Sequence, residues 1–249
     1  MSVTANGDPK NQAATGGILL PVAEVRVHLE AGGWPEAEAQ RPAILAHFAR
    51  RQAENPALFN GQILLLRDYS LSGGVLSGVC RQVDFAAFLW WRDHGFPAGF
   101  GMVNVFALPA LEGADGAFVL GEMAAHTVNA GCLYFPCGTP DLSDVTPGGA
   151  VDLIGSALRE MAEETGLAAH DIAEDAGWVI VEDGPYLALM RRLVFAESGA
   201  ALADRIGRFL AGESRPELSG THVIACAADF TPAVMPYVAA YIRWRWAQG

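Results

Sequence analysis

The run "GWVIVEDGPYLALMRRLVFA", Gly177–Ala196, places two apolar stretches on either side of a tight "EDGP" turn. This is the pattern of an antiparallel hairpin. A chain with such a hairpin cannot be a simple succession of βαβ units. Further pairs of apolar runs occur at "GQILLLRDYSLSGGVLSGVCRQV" (Gly61–Val83), around "SGG", and at "MVNVFALPAL" and "AFVLGEM", around "GADG". "VAEVRVHL" (Val22–Leu29), "GCLYFPCG" (Gly131–Gly138) and "THVIACA" (Thr221–Ala227) read as further strands. Helical periodicity appears at Pro35–Asn55, where Pro42 splits or kinks the segment. It recurs at Asp84–Gly95 with an Asp84 N-cap, at Ala201–Gly212, and in a closing helix capped by Thr231 with Pro232 in its first turn. Strands and helices mix without βαβ regularity, so the expected class is α+β.

At 249 residues the chain can bury one large core or two modest ones. Pro97, Gly99 and Gly101 mark a boundary near residue 100. The reading is a tail over residues 1–17, an α/β extension or accessory domain over 18–100, and a main domain over 101–249. With 51% hydrophobic and 18% charged residues the chain is globular. No apolar run approaches the roughly 20 residues of a membrane span. The N-terminal run lacks the basic and apolar regions of a signal peptide, and no two of the four cysteines form a C-x-x-C pair. Reduced thiols in the cytoplasm are the expectation. A net charge of −12 repels phosphate backbones, so nucleic acid is not expected as a partner, whereas divalent cations suit such a surface. A homodimer is left open.

The chemistry concentrates in "ALREMAEETGL", Ala157–Leu167. Helical spacing puts Glu160, Glu163 and Glu164 together, with Arg159 one turn before Glu163. Leu153, Ala157, Leu158, Met161 and Leu167 make the opposite, apolar face, and Gly166 ends the helix. Clustered carboxylates repel one another, and a hard divalent cation, Mg²⁺ or Mn²⁺, turns that repulsion into attraction. A solvated acidic face is the bland alternative.

"REMAEETGL", Arg159–Leu167, matches the second half of the Nudix signature, and the chain from about Met102 onward resembles the Nudix hydrolases. The resemblance implies a mixed sheet sandwiched between helices, here with an N-terminal α/β extension. The first half of the signature aligns on "PCGTPDLSD", Pro136–Asp144, with Gly138 as the fixed glycine and Asp144 in place of the usual glutamate. Fourteen residues then separate Asp144 from Arg159, an insertion of seven, with "TPGGAV" (Thr146–Val151) as its turn. The shorter acid is expected to weaken the contact between loop and Arg159.

By resemblance, Glu160, Glu163 and Glu164 hold the metal, Gly138 offers its carbonyl, and Arg159 orients the carboxylates. Glu217, ahead of a late strand, is the candidate for an extra ligand or the base, with Glu213 and Glu182 as rivals. Substrate contacts fall to His126, Asn129 and Trp91, against structural readings of each; two tryptophans on an apolar helix are ordinarily core. The implied activity is metal-dependent cleavage of a nucleoside diphosphate linked to another moiety, with an NDP-sugar first from a faint likeness to the UDP-glucose diphosphatase branch. A CoA-type or other nucleotide diphosphatase, or a catalytically silent nucleotide-sensing module, are the alternatives.

Overall fold

The computed structural model describes residues 18–248. The tail expected over residues 1–17 lies outside the described residues. Among the described residues, ten strands and six α-helices follow in the order β1 (Ile18–Val22), β2 (Glu24–Leu29), α1 (Pro35–Glu38), α2 (Arg41–Glu54), β3 (Gln62–Ser72), β4 (Val75–Asp84), α3 (Phe85–Asp93), β5 (Asn104–Glu112), β6 (Phe118–Met123), β7 (Leu133–Tyr134), α4 (Leu153–Thr165), β8 (Ile172–Asp183), β9 (Tyr186–Phe195), α5 (Gly199–Leu210), β10 (Leu218–Ile224) and α6 (Pro236–Trp246). The class is α+β, as expected.

The larger sheet runs β1-β8-β9-β5-β6-β10, with β7 also on β6. It is mixed: β5 and β9 are parallel, Asn104 opposite Tyr186, while β8 and β9 form the antiparallel hairpin anticipated from "EDGP". The ladder between β5 and β6 is confined to Glu112 opposite Phe118, so Pro109, which lacks an N–H, interrupts no pairing there.

Period-2 alternation sends each strand's side chains to two faces. Phe106, Leu108 and Ala110 of β5 pack with Ala188 and Met190 of β9 against Tyr237, Val238 and Tyr241 of α6. Their neighbours Val105 and Ala107 turn the other way, with Leu187 and Leu189, toward Leu153 and Ala157 of α4. The sheet is therefore covered by helices on both faces. Among the described residues no helix is long and apolar enough to cross a membrane.

Residues before 100 contribute to both sheets. β1 pairs with β8 in the large one. β2, β4 and β3 form a second sheet, in which β2 and β4 are parallel. Val27, Leu64, Leu66 and Leu76 from this part share one core with Val105, Ile180, Leu187 and Leu189. The Pro42 split is realised as two helices, with α2 opening at the proline's turn.

Four local expectations are corrected. Asp84 stands at the start of α3 but does not cap it, because its carboxylate is taken by Arg41 and by Gln62 at 2.6 Å. The closing helix begins at Pro236, one turn later than Thr231 and Pro232 suggested, because Leu133 exchanges backbone hydrogen bonds with Ala233 and Met235 and holds that stretch extended. β7 is only two residues long, pairing with β6 at Leu133 and Tyr134. β10 starts at Leu218 and ends at Ile224, displaced toward the N-terminus of the expected run by its register on β6.

Candidate active site

Helix α4 positions the acidic face. Asp152 caps it, accepting a hydrogen bond from the Gly155 N–H at 2.9 Å. Gly166 closes it in the left-handed conformation, φ 69°. A Cβ on Gly166 would lie 2.4 Å from the Phe209 ring, so this position needs glycine twice over. The apolar face is buried as its periodicity required: Leu153, Ala157, Met161 and Leu167 are in the core.

The two halves of the motif meet despite the insertion. Arg159 binds Asp144 Oδ1 at 3.0 Å, Glu160 Oε1 at 2.7 Å and Glu163 Oε2 at 3.4 Å. The shorter acid still reaches Arg159 across the insertion. A short 3-10 turn, Leu142–Asp144, carries the aspartate inward, and its other oxygen accepts from the Asp141 N–H at 3.0 Å. Gly138 adjoins Glu160 so closely that an added Cβ would come within 2.5 Å of Oε1. The inserted residues form the "TPGGAV" turn, with Thr146 N–H bonded to the Ala150 carbonyl at 2.8 Å. That turn is sewn to β2 by bonds from Leu29 N–H to Gly149 and from Val151 N–H to Val27, each 2.8 Å.

One pocket of about 190 Å³ gathers Glu160, Glu163, Glu164, Glu213 and Glu217. Glu163 is exposed, whereas Glu164 is 5% exposed and its Oε2 is buried with no hydrogen-bond partner. Burial, reinforced by the charges of Glu160 and Glu217, pushes the Glu164 carboxyl up to about 9. Glu160 is also raised, first by burial, with Arg159 opposing and Glu163 and Glu217 adding to the shift. Because Glu160 and Glu163 are both turned toward Arg159, no three His, Cys, Asp or Glu side chains among the described residues are drawn into a ready-made metal cage. The donor set nonetheless fits a hard divalent cation: carboxylate oxygens around a buried, unpartnered Oε2, beside a loop whose glycine leaves room for them.

The remaining residues singled out in the sequence divide. Glu217 and its rival Glu213 line the carboxylate pocket. Glu182 does not; it accepts a hydrogen bond from Tyr69 at 2.8 Å, between the two sheets. Trp91 is core, 3% exposed, edge-on to Trp34 and Phe96, and donates to the Pro97 carbonyl. His126 lines neither this pocket nor the neighbouring aromatic cleft, and its carbonyl accepts from Asn55 at 2.9 Å. Asn129 accepts from Arg92 at 3.3 Å and donates to the Tyr134 hydroxyl at 3.1 Å, in that cleft. Sequence reasoning missed Arg215, the cation among the pocket's glutamates, exposed and engaged in none of the ion pairs of the described residues. Its proximity to Glu217 in the sequence was the available signal.

No family model matches the chain, and no curated protein matches it. Solved structures similar to part of it include a Nudix hydrolase from M. smegmatis, RenU, 18% identical over 58% of this chain and 83% of that one, TM-score 0.35. A MutT protein from Methanosarcina mazei is 15% identical over 59% of this chain and 94% of its own, TM-score 0.37. The Bacillus subtilis pyrophosphohydrolase BsRppH, solved in a mutant form, is 16% identical over 49% of this chain and 61% of its own, TM-score 0.26. None of these likenesses bears on the chemistry, which the site residues alone must carry.

Proposed function

We propose that this chain is a Nudix-type hydrolase that cleaves the diphosphate bond of a nucleoside diphosphate linked to a further moiety, with Mg²⁺ or Mn²⁺ as cofactor. One observation carries the reading: Arg159 is joined at once to Asp144, Glu160 and Glu163, beside a buried Glu164 with an unpartnered oxygen. A pocket lined by five glutamates repels a diphosphate unless cations stand between them. When bound, the metal supplies Lewis acidity toward the phosphate oxygens and a more acidic water.

The chain's own residues then have distinct tasks. Glu160, Glu163 and Glu164 are the ligands, joined by the Gly138 carbonyl. Arg159 is a positioning residue: its charge-assisted bonds aim Glu160 and Glu163 and tie them to the loop through Asp144. Glu217 is the further ligand or base, and Arg215 meets substrate phosphate at the pocket. Residues 18–100 act as an extension that braces the box loop, and the setting is cytoplasmic. The shorter acid and the insertion leave room for a silent sensor; an Asp144 that reaches Arg159 across that insertion favours catalysis instead.

The test is a Mg²⁺-dependent hydrolysis screen over NDP-sugars, ADP-ribose, dinucleoside polyphosphates, CoA and oxidised dNTPs, with NDP-sugars the first candidate. Turnover that needs the metal and is lost in Glu163→Gln is expected. No turnover on any substrate, with nucleotide binding indifferent to Glu163→Gln, would sink the hydrolase in favour of a sensor.

A further inference from the structure

A second cleft, about 90 Å³, shares Gly138 with the loop that meets the carboxylates. It is built jointly by the extension and the main sheet. Phe88 and Arg92 come from α3, Asn104 and Phe106 from β5, Tyr186 from the start of β9 and Tyr237 from α6. The aromatic walls are mutually braced: Phe106 stands edge-on to Tyr186 at 6.1 Å and to Tyr237 at 5.4 Å. Asn104 is 6% exposed, and its Oδ1 is buried without a hydrogen-bond partner. An unsatisfied buried acceptor is costly, and such groups are normally paired by the protein, by water or by a ligand.

Charge decides what kind of group belongs here. Arg92 is the cation of the cleft, and Asp93 holds it at 3.2 Å while Asn129 takes another of its N–H groups. A cleft neutralised in this way is poorly suited to phosphate. Its aromatic faces and the unpartnered Asn104 acceptor suit a neutral planar ring bearing an N–H.

We propose that this cleft takes the nucleobase of the bound nucleotide, with Asn104 Oδ1 accepting a hydrogen bond from a base N–H beside the Phe106, Tyr186 and Tyr237 rings. The inference rests on the diphosphate-hydrolase reading for what the adjoining carboxylates hold, and it assigns the discrimination among nucleotides to Asn104. Gly138 is then the hinge point of the ligand, with phosphates on the carboxylate side and base in the aromatic cleft.

Binding of UMP, CMP, AMP and GMP, with ribose 5-phosphate as the base-free control, is measured by calorimetry in Mg²⁺. None of these contains a diphosphate bond, so binding is read without turnover. At least one nucleotide is expected to bind at least about tenfold more tightly than ribose 5-phosphate, and Asn104→Leu to erase that preference. Equal binding of all five by the native protein would overturn the assignment, whether or not the variant folds. So would an Asn104→Leu protein of native Tm that keeps the preference. Base-selective, Asn104-dependent binding alongside a failed hydrolysis screen would reject the hydrolase and support the cleft. Hydrolysis whose KM and base preference ignore Asn104→Leu would reject the cleft alone.

Discussion

Glu164 is held at a position where an acid is expensive. Its carboxyl, ordinarily near 4.5, is raised to about 9 by burial and by the charges of Glu160 and Glu217. Between those pH values the folded protein keeps a proton that the unfolded chain has released, so this residue lowers stability as pH rises. Glu164→Gln removes the titration. Its Tm in chelator is expected to exceed that of the native protein at pH 8 and to match it near pH 4.5, while metal-dependent turnover falls. A Tm difference that does not grow with pH would contradict this account. The exchange of stability for function is common at binding sites. Gly138 offers a contrasting case. Its added Cβ would meet the movable end of Glu160 rather than backbone. Gly138→Ala should therefore fold with nearly native Tm yet lose turnover, read as a fall in kcat at saturating Mg²⁺. The glycine was legible in the sequence as part of a motif, but its reason, room for one carboxylate, needed the fold.

Helix α4 shows how much an element's ends matter. Its burial pattern follows from 3.6-residue periodicity, and the acidic face could be read from spacing alone. What held its N-terminus was not identified in the sequence. Asp152 does this through the Gly155 N–H, and Asp152 N–H in turn bonds to the Asp144 carbonyl at 2.8 Å. Asp152→Ala should cost about 1 kcal/mol, the usual value of an N-cap, measured by urea unfolding. Because fraying of the uncapped helix end would loosen the Asp152 N–H bond to the Asp144 carbonyl, the variant should also weaken metal-dependent turnover. A loss of stability with fully native turnover would separate the helix end from the site. The closing helix illustrates the opposite outcome. Thr231-Pro232 is a sound start signal, yet backbone bonds to Leu133 claim Ala233 and Met235 for an extended stretch. Local propensity lost there to a tertiary partner.

At the scale of the whole molecule, the extension and the insertion explain each other. The inserted turn, Thr146–Val151, hydrogen bonds to β2, and Leu64 N–H reaches the Pro140 carbonyl at 2.7 Å, just beyond Gly138. The loop that bears Gly138 and Asp144 is thus fastened to the N-terminal sheet at both ends. Leu66 and Val103 also exchange backbone bonds across the expected boundary near residue 100. A fragment covering residues 101–248 is therefore predicted to expose Val105, Ala107, Leu187 and Leu189 and to show no cooperative thermal transition. A soluble fragment melting as sharply as the full chain would show that the main sheet folds without its extension.

Helix faces, hairpin turns and the REMAEETGL string could be read from the sequence because each rests on residues a few positions apart, where covalent geometry sets which side chains meet. The length of the loop insertion was likewise legible, since it is a count between two motif halves. Only the tertiary structure decided that Asp144 reaches Arg159, that Trp91 is core while Asn104 and Arg215 line clefts, and that β2 braces the inserted turn. Those pairings reach from 15 positions, between Asp144 and Arg159, to more than a hundred, and no local periodicity records which distant strand will supply the missing hydrogen bonds or the other wall of a pocket.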